Sequence, residues 1–190
     1  MEEFIVEVNR TLTFQRTNKE LRYKPDDPFI RTIVIGIRPK ESKNENDWIA
    51  YIDCKIWNIS SQKETVFWNY ALEHDKEQGD KTFSAVCNYL KKNSPKKSFF
   101  ESKIVSGWAV YISELTVYED MINQYPSLDH AAAEAEILNA MTMIIKQSFL
   151  IKPTYIFIGD MEQRTRVIGA AGFEKIGFVD KKTIHMKSCK

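Results

Sequence analysis

Gly172-Phe173-Glu174-Lys175-Ile176-Gly177-Phe178 closes the stretch that decides the fold, Trp108 to Phe178. The stretch opens with a strand, Trp108 to Tyr118, and a long connection, Glu119 to Leu128, that contains Pro126. A helix follows, with Asp129 as a plausible N-cap and Ile137, Leu138, Met141, Ile144 and Ile145 as its buried stripe. Pro153 ends the next linker. Thr154-Tyr155-Ile156-Phe157-Ile158 is then a continuous apolar run, as expected of a strand covered on both faces. Gly159-Asp160 turns the chain into a short helix through Ala171, and Phe173 to Val179 and Thr183 to Met186 read as closing strands. Strand-helix-strand over 108–158 requires a right-handed crossover and two parallel strands.

Toward the N-terminus the pattern changes to a period of two. Phe4, Val6 and Val8, continued by Leu12 and Phe14, predict a strand over 4–15. Pro25 and Pro28 break the chain before a second strand, Ile30 to Arg38, rich in β-branched residues. After a polar connection at 39–47, Trp48, Ala50, Ile52, Cys54 and Ile56 share one face of a third strand, with Tyr51, Asp53 and Lys55 on the other. These three strands predict an antiparallel meander. The period then becomes helical. Ser61-Gln62-Lys63-Glu64 has the form of a capping box, Val66, Phe67, Tyr70 and Ala71 make an apolar stripe, and Gly79-Asp80 interrupts and recaps. Phe83, Val86, Cys87 and Leu90 continue at helical spacing, and Lys91 to Lys97 forms a basic loop, read as a solvated linker.

The 190 residues suit one domain, with the helices and basic loop at 62–97 as an insertion in it. Apolar residues at 43% supply a normal core, and a formal charge of +1 gives no general attraction to nucleic acid or to an anionic membrane. No apolar run reaches the length of a membrane span, and Met1-Glu2-Glu3-Phe4 lacks the basic start of a signal peptide. Cys54, Cys87 and Cys189 have no metal-ligand spacing, and the first two read as buried thiols. A reduced, cytoplasmic setting is expected. His74, His130 and His185 are too scattered for a zinc site or a Cys-His nucleophile.

The order of elements over 108–180, closing on aromatic-Glu-Lys-aliphatic-Gly-Phe, resembles the C-terminal half of the GNAT superfamily, the acyl-CoA-dependent N-acetyltransferases. The antiparallel first half resembles it more loosely. The resemblance implies an α+β (α/β) fold: a mixed, mostly antiparallel central sheet with one splayed parallel pair and flanking helices. It implies that 108–180 is the cofactor-binding half, with acetyl-CoA or another acyl-CoA and an amine as substrates and no metal. The pantetheine arm would lie in the split, bonding to the backbone of Leu115, Thr116 and Val117. The pyrophosphate would meet the following helix N-terminus at Asp129, His130 and Ala131. Arg166 could reach the phosphates from the short helix, and Glu114 would be the general base.

Several positions depart from the family pattern. Its glycine-containing phosphate loop is replaced by Tyr125-Pro126-Ser127-Leu128-Asp129-His130-Ala131-Ala132-Ala133. Asp129, Glu134 and Glu136 place negative charge there, which an ordinary capped helix also explains. Phe173 stands where many members carry a tyrosine acid, and Tyr111, Tyr118 and Tyr155 are the hydroxyls that could substitute. Glu114 reads equally as a surface strand residue. Three readings therefore stay open on sequence: an atypical acyltransferase acting on an amine, a catalytically inactive protein of the same fold that binds acyl-CoA or a protein partner, or an unrelated α/β interaction domain in which the closing signature is coincidental.

Overall fold

A computed structural model of the chain describes residues 4–9, 30–39, 48–79, 81–92, 107–124, 135, 138–140, 142–146, 153–160 and 165–189. The alternating apolar segments form β1 (Phe4–Asn9), β2 (Ile30–Pro39) and β3 (Ala50–Asn58), an antiparallel meander as expected. The chain then passes through a 3-10 turn, Ile59–Lys63, to α1 (Thr65–Gln78) and α2 (Thr82–Lys92). Next come β4 (Trp108–Val117), a short α3 (Glu119–Ile122) and α4, whose described residues lie within 135–146. β5 (Pro153–Asp160), α5 (Thr165–Ala170), β6 (Glu174–Val179) and β7 (Lys182–Ser188) complete it.

The strands make one seven-stranded sheet in the order β1-β2-β3-β4-β5-β7-β6. Its ladders are antiparallel except β4–β5, the parallel pair that the crossover requires. The fold is thus the mixed, mostly antiparallel sheet that the resemblance implies. Because side chains alternate across a strand, the sheet feeds two cores. Ala50, Ile52, Cys54 and Ile56 of β3, Val110 and Ile112 of β4, and Ile156 and Ile158 of β5 pack with Leu138 and Ile145 of α4 and Ile168 of α5. Trp57, Ala109, Tyr111 and Phe157 point the other way, into Phe67 and Ala71 of α1 and Phe83, Val86, Cys87 and Leu90 of α2. We refer to these as the α4 face and the α1–α2 face.

The helical start at 61–64 differs from the expected capping box. Asn58 caps the turn instead, accepting from the Ser60 N–H at 2.9 Å, while the Ser61 hydroxyl donates to the Asn58 carbonyl at 2.6 Å. Gln62 is drawn inward: it accepts from Trp57 Nε1 at 2.8 Å and donates to the Cys87 carbonyl at 3.0 Å, which tightens the segment into a 3-10 turn. Glu64 precedes α1 without a side-chain cap bond. The buried stripe of α1 is Phe67, Ala71, His74 and Asp75, so Val66, 59% exposed, falls off it. Gly79, at φ 69°, ends α1 in the left-handed region, its N–H reaching the carbonyls of Asp75 and Lys76. Asp80 lies outside the described residues. α2 is instead capped from α1: Asp75 accepts from the Phe83 N–H at 3.1 Å and the Ser84 N–H at 3.0 Å. Gly159 and Asp160, expected in a turn, belong to β5, and Leu12 and Phe14 lie outside the described residues.

Candidate functional site

The β4–β5 ladder begins at Trp108–Pro153 and ends at Ile112–Ile158, although β4 continues to Val117 and β5 to Asp160. Beyond that point β4 continues its ladder with β3, and its ladder with β5 has ended. A bulge sits at the same place. On β3, Cys54 pairs with Ile112 and Asp53 with Glu114, so Ser113 is an extra residue on β4. Its hydroxyl donates to the Asp53 carbonyl at 3.2 Å.

The extra residue reverses which side chains face which core. Val110 and Ile112 point to the α4 face, and an unbroken strand would send Glu114 after them. After the bulge, Leu115 and Val117 pack against the α4 core, and Glu114 stands with Asp53, Tyr51 and Thr116 on the opposite side. The backbone alternates as well. The Tyr118 N–H donates to the Ile49 carbonyl at 2.9 Å, so Thr116 and Glu114 turn their backbone groups to β3, and Leu115 and Val117 turn theirs toward the β5 side.

Glu114 is exposed and held by two hydroxyls. Tyr51 donates to its Oε1, and Thr116 donates to the same atom at 3.1 Å. An oxygen with two donors has used both lone pairs, which leaves Oε2 for a third proton. Tyr118, 41% exposed, lies beside this group with its ring centroid 6.2 Å from that of Tyr51. Burial first, and then the bond to Glu114, push the Tyr51 hydroxyl up to about 12. It is a proton donor throughout the neutral range.

Behind this exposed group the polar residues continue inward. Asp53 Oδ1 is buried with no hydrogen-bond partner. Burial raises its carboxyl above the usual range; Lys55 opposes that shift and Glu114 adds to it. His74, 4% exposed, has neither ring nitrogen hydrogen-bonded, since Nδ1 is 3.7 Å from Asp75 Oδ1, beyond hydrogen-bond reach. Burial holds its ring below the ordinary histidine value, the neighbouring Lys55 lowers it further, and Asp75 and Asp53 pull the other way. A histidine so depressed contributes stability above its unfolded value, and that contribution is lost as pH falls through the folded one. The ring packs against Phe83 at 5.2 Å and Tyr70 at 6.5 Å. His74→Phe is therefore expected to stabilise the protein by about 1 kcal/mol at neutral pH, because it removes unsatisfied buried nitrogens from an aromatic cluster. The gain should widen in urea titrations repeated at pH 5, where the histidine of the unfolded wild type takes a proton that the buried ring resists.

The remaining expected residues divide clearly. Leu115, Thr116 and Val117 lie on β4 past its last β5 partner. Asp129, His130 and Ala131 lie outside the described residues, and Arg166 belongs to α5. Phe173 is a core residue of the α4 face, 4% exposed, with Lys187 Nζ 5.6 Å from its ring centre. Tyr111 is buried and stacked on Phe83 at 5.4 Å, and Tyr155 lies beside Phe157 at 6.2 Å. Of the three substitute tyrosines, only Tyr118 accompanies Glu114. Tyr51, Asp53 and Ser113 carry no sequence signal of a site on their own. The local sign of the bulge that gathers them is that Glu114 shares its two-residue parity with Val110 and Ile112. Among the described residues, no group of three or more His, Cys, Asp or Glu side chains could hold a metal ion, and no helix is long and apolar enough to cross a membrane.

No family model and no curated protein matches the chain. Among solved structures, the chain is similar to arylalkylamine N-acetyltransferase 2 from Aedes aegypti. The identity is 15% and the TM-score 0.44, over 83% of this chain and 73% of that one.

Proposed function

We propose that the chain transfers an acetyl or related acyl group from acyl-CoA to an amine. The observation that carries the reading is the parting of β4 from β5 at Ile112–Ile158, coincident with the Ser113 bulge that brings Glu114 onto the exposed side. A parallel pair whose ladder stops while both strands continue parts the two strands, and an amide-bearing ligand can be recognised along that opening through backbone groups. In this reading the pantetheine arm runs along β4 at Leu115, Thr116 and Val117. Asp129, His130 and Ala131 with Arg166 meet the phosphates, and Glu114 stands over the thioester. The amine nitrogen attacks the thioester carbon, the C–N bond forms as the C–S bond breaks, coenzyme A leaves as the thiolate with the C–S electron pair, and Oε2 of Glu114 takes the nitrogen's proton. The hydroxyls on Oε1 keep that carboxylate in one orientation, which matters because a misplaced base loses most of its effect.

A thermal-shift titration with acetyl-CoA, followed by thiol release across a panel of amines, tests the proposal. A ligand that binds only the native state stabilises it by about 2.7 kcal/mol at a hundredfold excess over Kd, which a thermal midpoint resolves easily. The expected result is a rise in midpoint together with thiol release in the presence of amine. No rise at millimolar acetyl-CoA ends the reading. A rise without release across the panel leaves a protein that holds the ligand and does not turn it over.

A further inference from the structure

Glu114 does not stand alone on its face of the sheet. Its register partner across β3 is Asp53, and the next pair on the same face is Tyr51 with Thr116. Two carboxyls facing one another on paired strands repel when both are charged, and the Asp53 carboxyl is the one that burial raises. Glu114 is held instead by two hydroxyl donors on Oε1. Resting on the acyl-transfer reading above, we propose that Tyr51 is a positioning residue of that reaction. Together with Thr116 it occupies Oε1 of the Glu114 carboxylate and leaves Oε2 to the acceptor amine.

The Tyr51 ring is itself held, tilted at 37° against Tyr118, so its hydroxyl has a fixed direction. The titratable groups that bear on the arrangement are Tyr51, Asp53 and Lys55 from β3, Tyr118 just past the end of β4, and His74 from α1 by way of Asp53. The sign follows from electrostatics. Removing a donor from a carboxylate disfavours its charged form. Removing either hydroxyl from Oε1 should therefore move the same profile in the same direction, which a purely structural role would not do.

The test is the pH profile of kcat/KM for wild type, Tyr51→Phe and Thr116→Val with one amine, whose own ionisation is common to all three. Tyr51→Phe is expected to move the acidic limb to higher pH by about one unit, the value of one hydrogen bond to a charged group. Thr116→Val, which takes the other hydroxyl from Oε1, is expected to move it in the same direction. A limb that stays in place in either variant overturns the inference and leaves acyl transfer standing, whereas a wild type without turnover overturns both. Should Tyr51→Phe fail to fold, Thr116→Val alone carries the test, and a limb that stays in place overturns the inference.

Discussion

Glu114→Gln is expected to lower kcat by about 10²- to 10⁴-fold, the usual contribution of a positioned general base. The substitution is nearly isosteric. A glutamine oxygen can still accept from the Tyr51 and Thr116 hydroxyls that hold Oε1, so the side chain keeps its place on the exposed side of the sheet. What it loses is the capacity to take a proton. The proposed contacts of the acyl-CoA arm are to the β4 backbone, which the substitution leaves untouched. KM for acyl-CoA and the acetyl-CoA thermal shift should therefore match the wild type. A loss confined to kcat marks an interaction made only in the transition state. If turnover is unchanged, Glu114 is a surface strand residue, and the base must be sought elsewhere.

That carboxylate also shows where sequence reading succeeds and where it stops. Periodicity places the strands and helices because apolar repeats are local: Phe83, Val86, Cys87 and Leu90 are buried as their spacing predicts, and so are the β5 residues Ile156, Phe157 and Ile158. Glu114 is recognisable as a candidate from its place on a strand. Its partners are not, because Tyr51 and Asp53 come from a strand some 60 residues earlier, and only the register joins them. The bulge at Ser113 adds one residue of slippage that a strict period of two does not contain. The same reason explains the cap of α2. Its first N–H groups are accepted by Asp75, across the Gly79 turn, and no local capping motif records that bond. Gln62 likewise leaves a convincing local pattern for partners in Trp57 and in α2.

Phe83→Ala is the substitution expected to cost most in stability, about 3–5 kcal/mol, the range for emptying a buried aromatic site. The ring is fully buried on the α1–α2 face. It meets Trp57 edge-on at 5.3 Å and His74 at 5.2 Å, stacks on Tyr111 at 5.4 Å, and lies 6.4 Å from both Phe67 and Tyr70. These neighbours come from β3, α1 and β4, so no single element can move in to fill the space. Gly159 shows how tightly the layer is closed, since a Cβ there would sit 2.8 Å from Thr82 Cγ2 at the start of α2. For a domain of this size the loss corresponds to a fall in thermal midpoint of roughly 10 °C. Phe83→Leu, which keeps most of the volume, should cost about 1 kcal/mol, and Leu72→Ala, at an exposed position of α1, close to nothing. Urea unfolding of the three variants checks the order. A Phe83→Ala cost no larger than that of Leu72→Ala would mean that α2 does not close over the sheet. Tyr111, two residues before the bulge, would then lack its support, and the placing of Glu114 would lose its foundation.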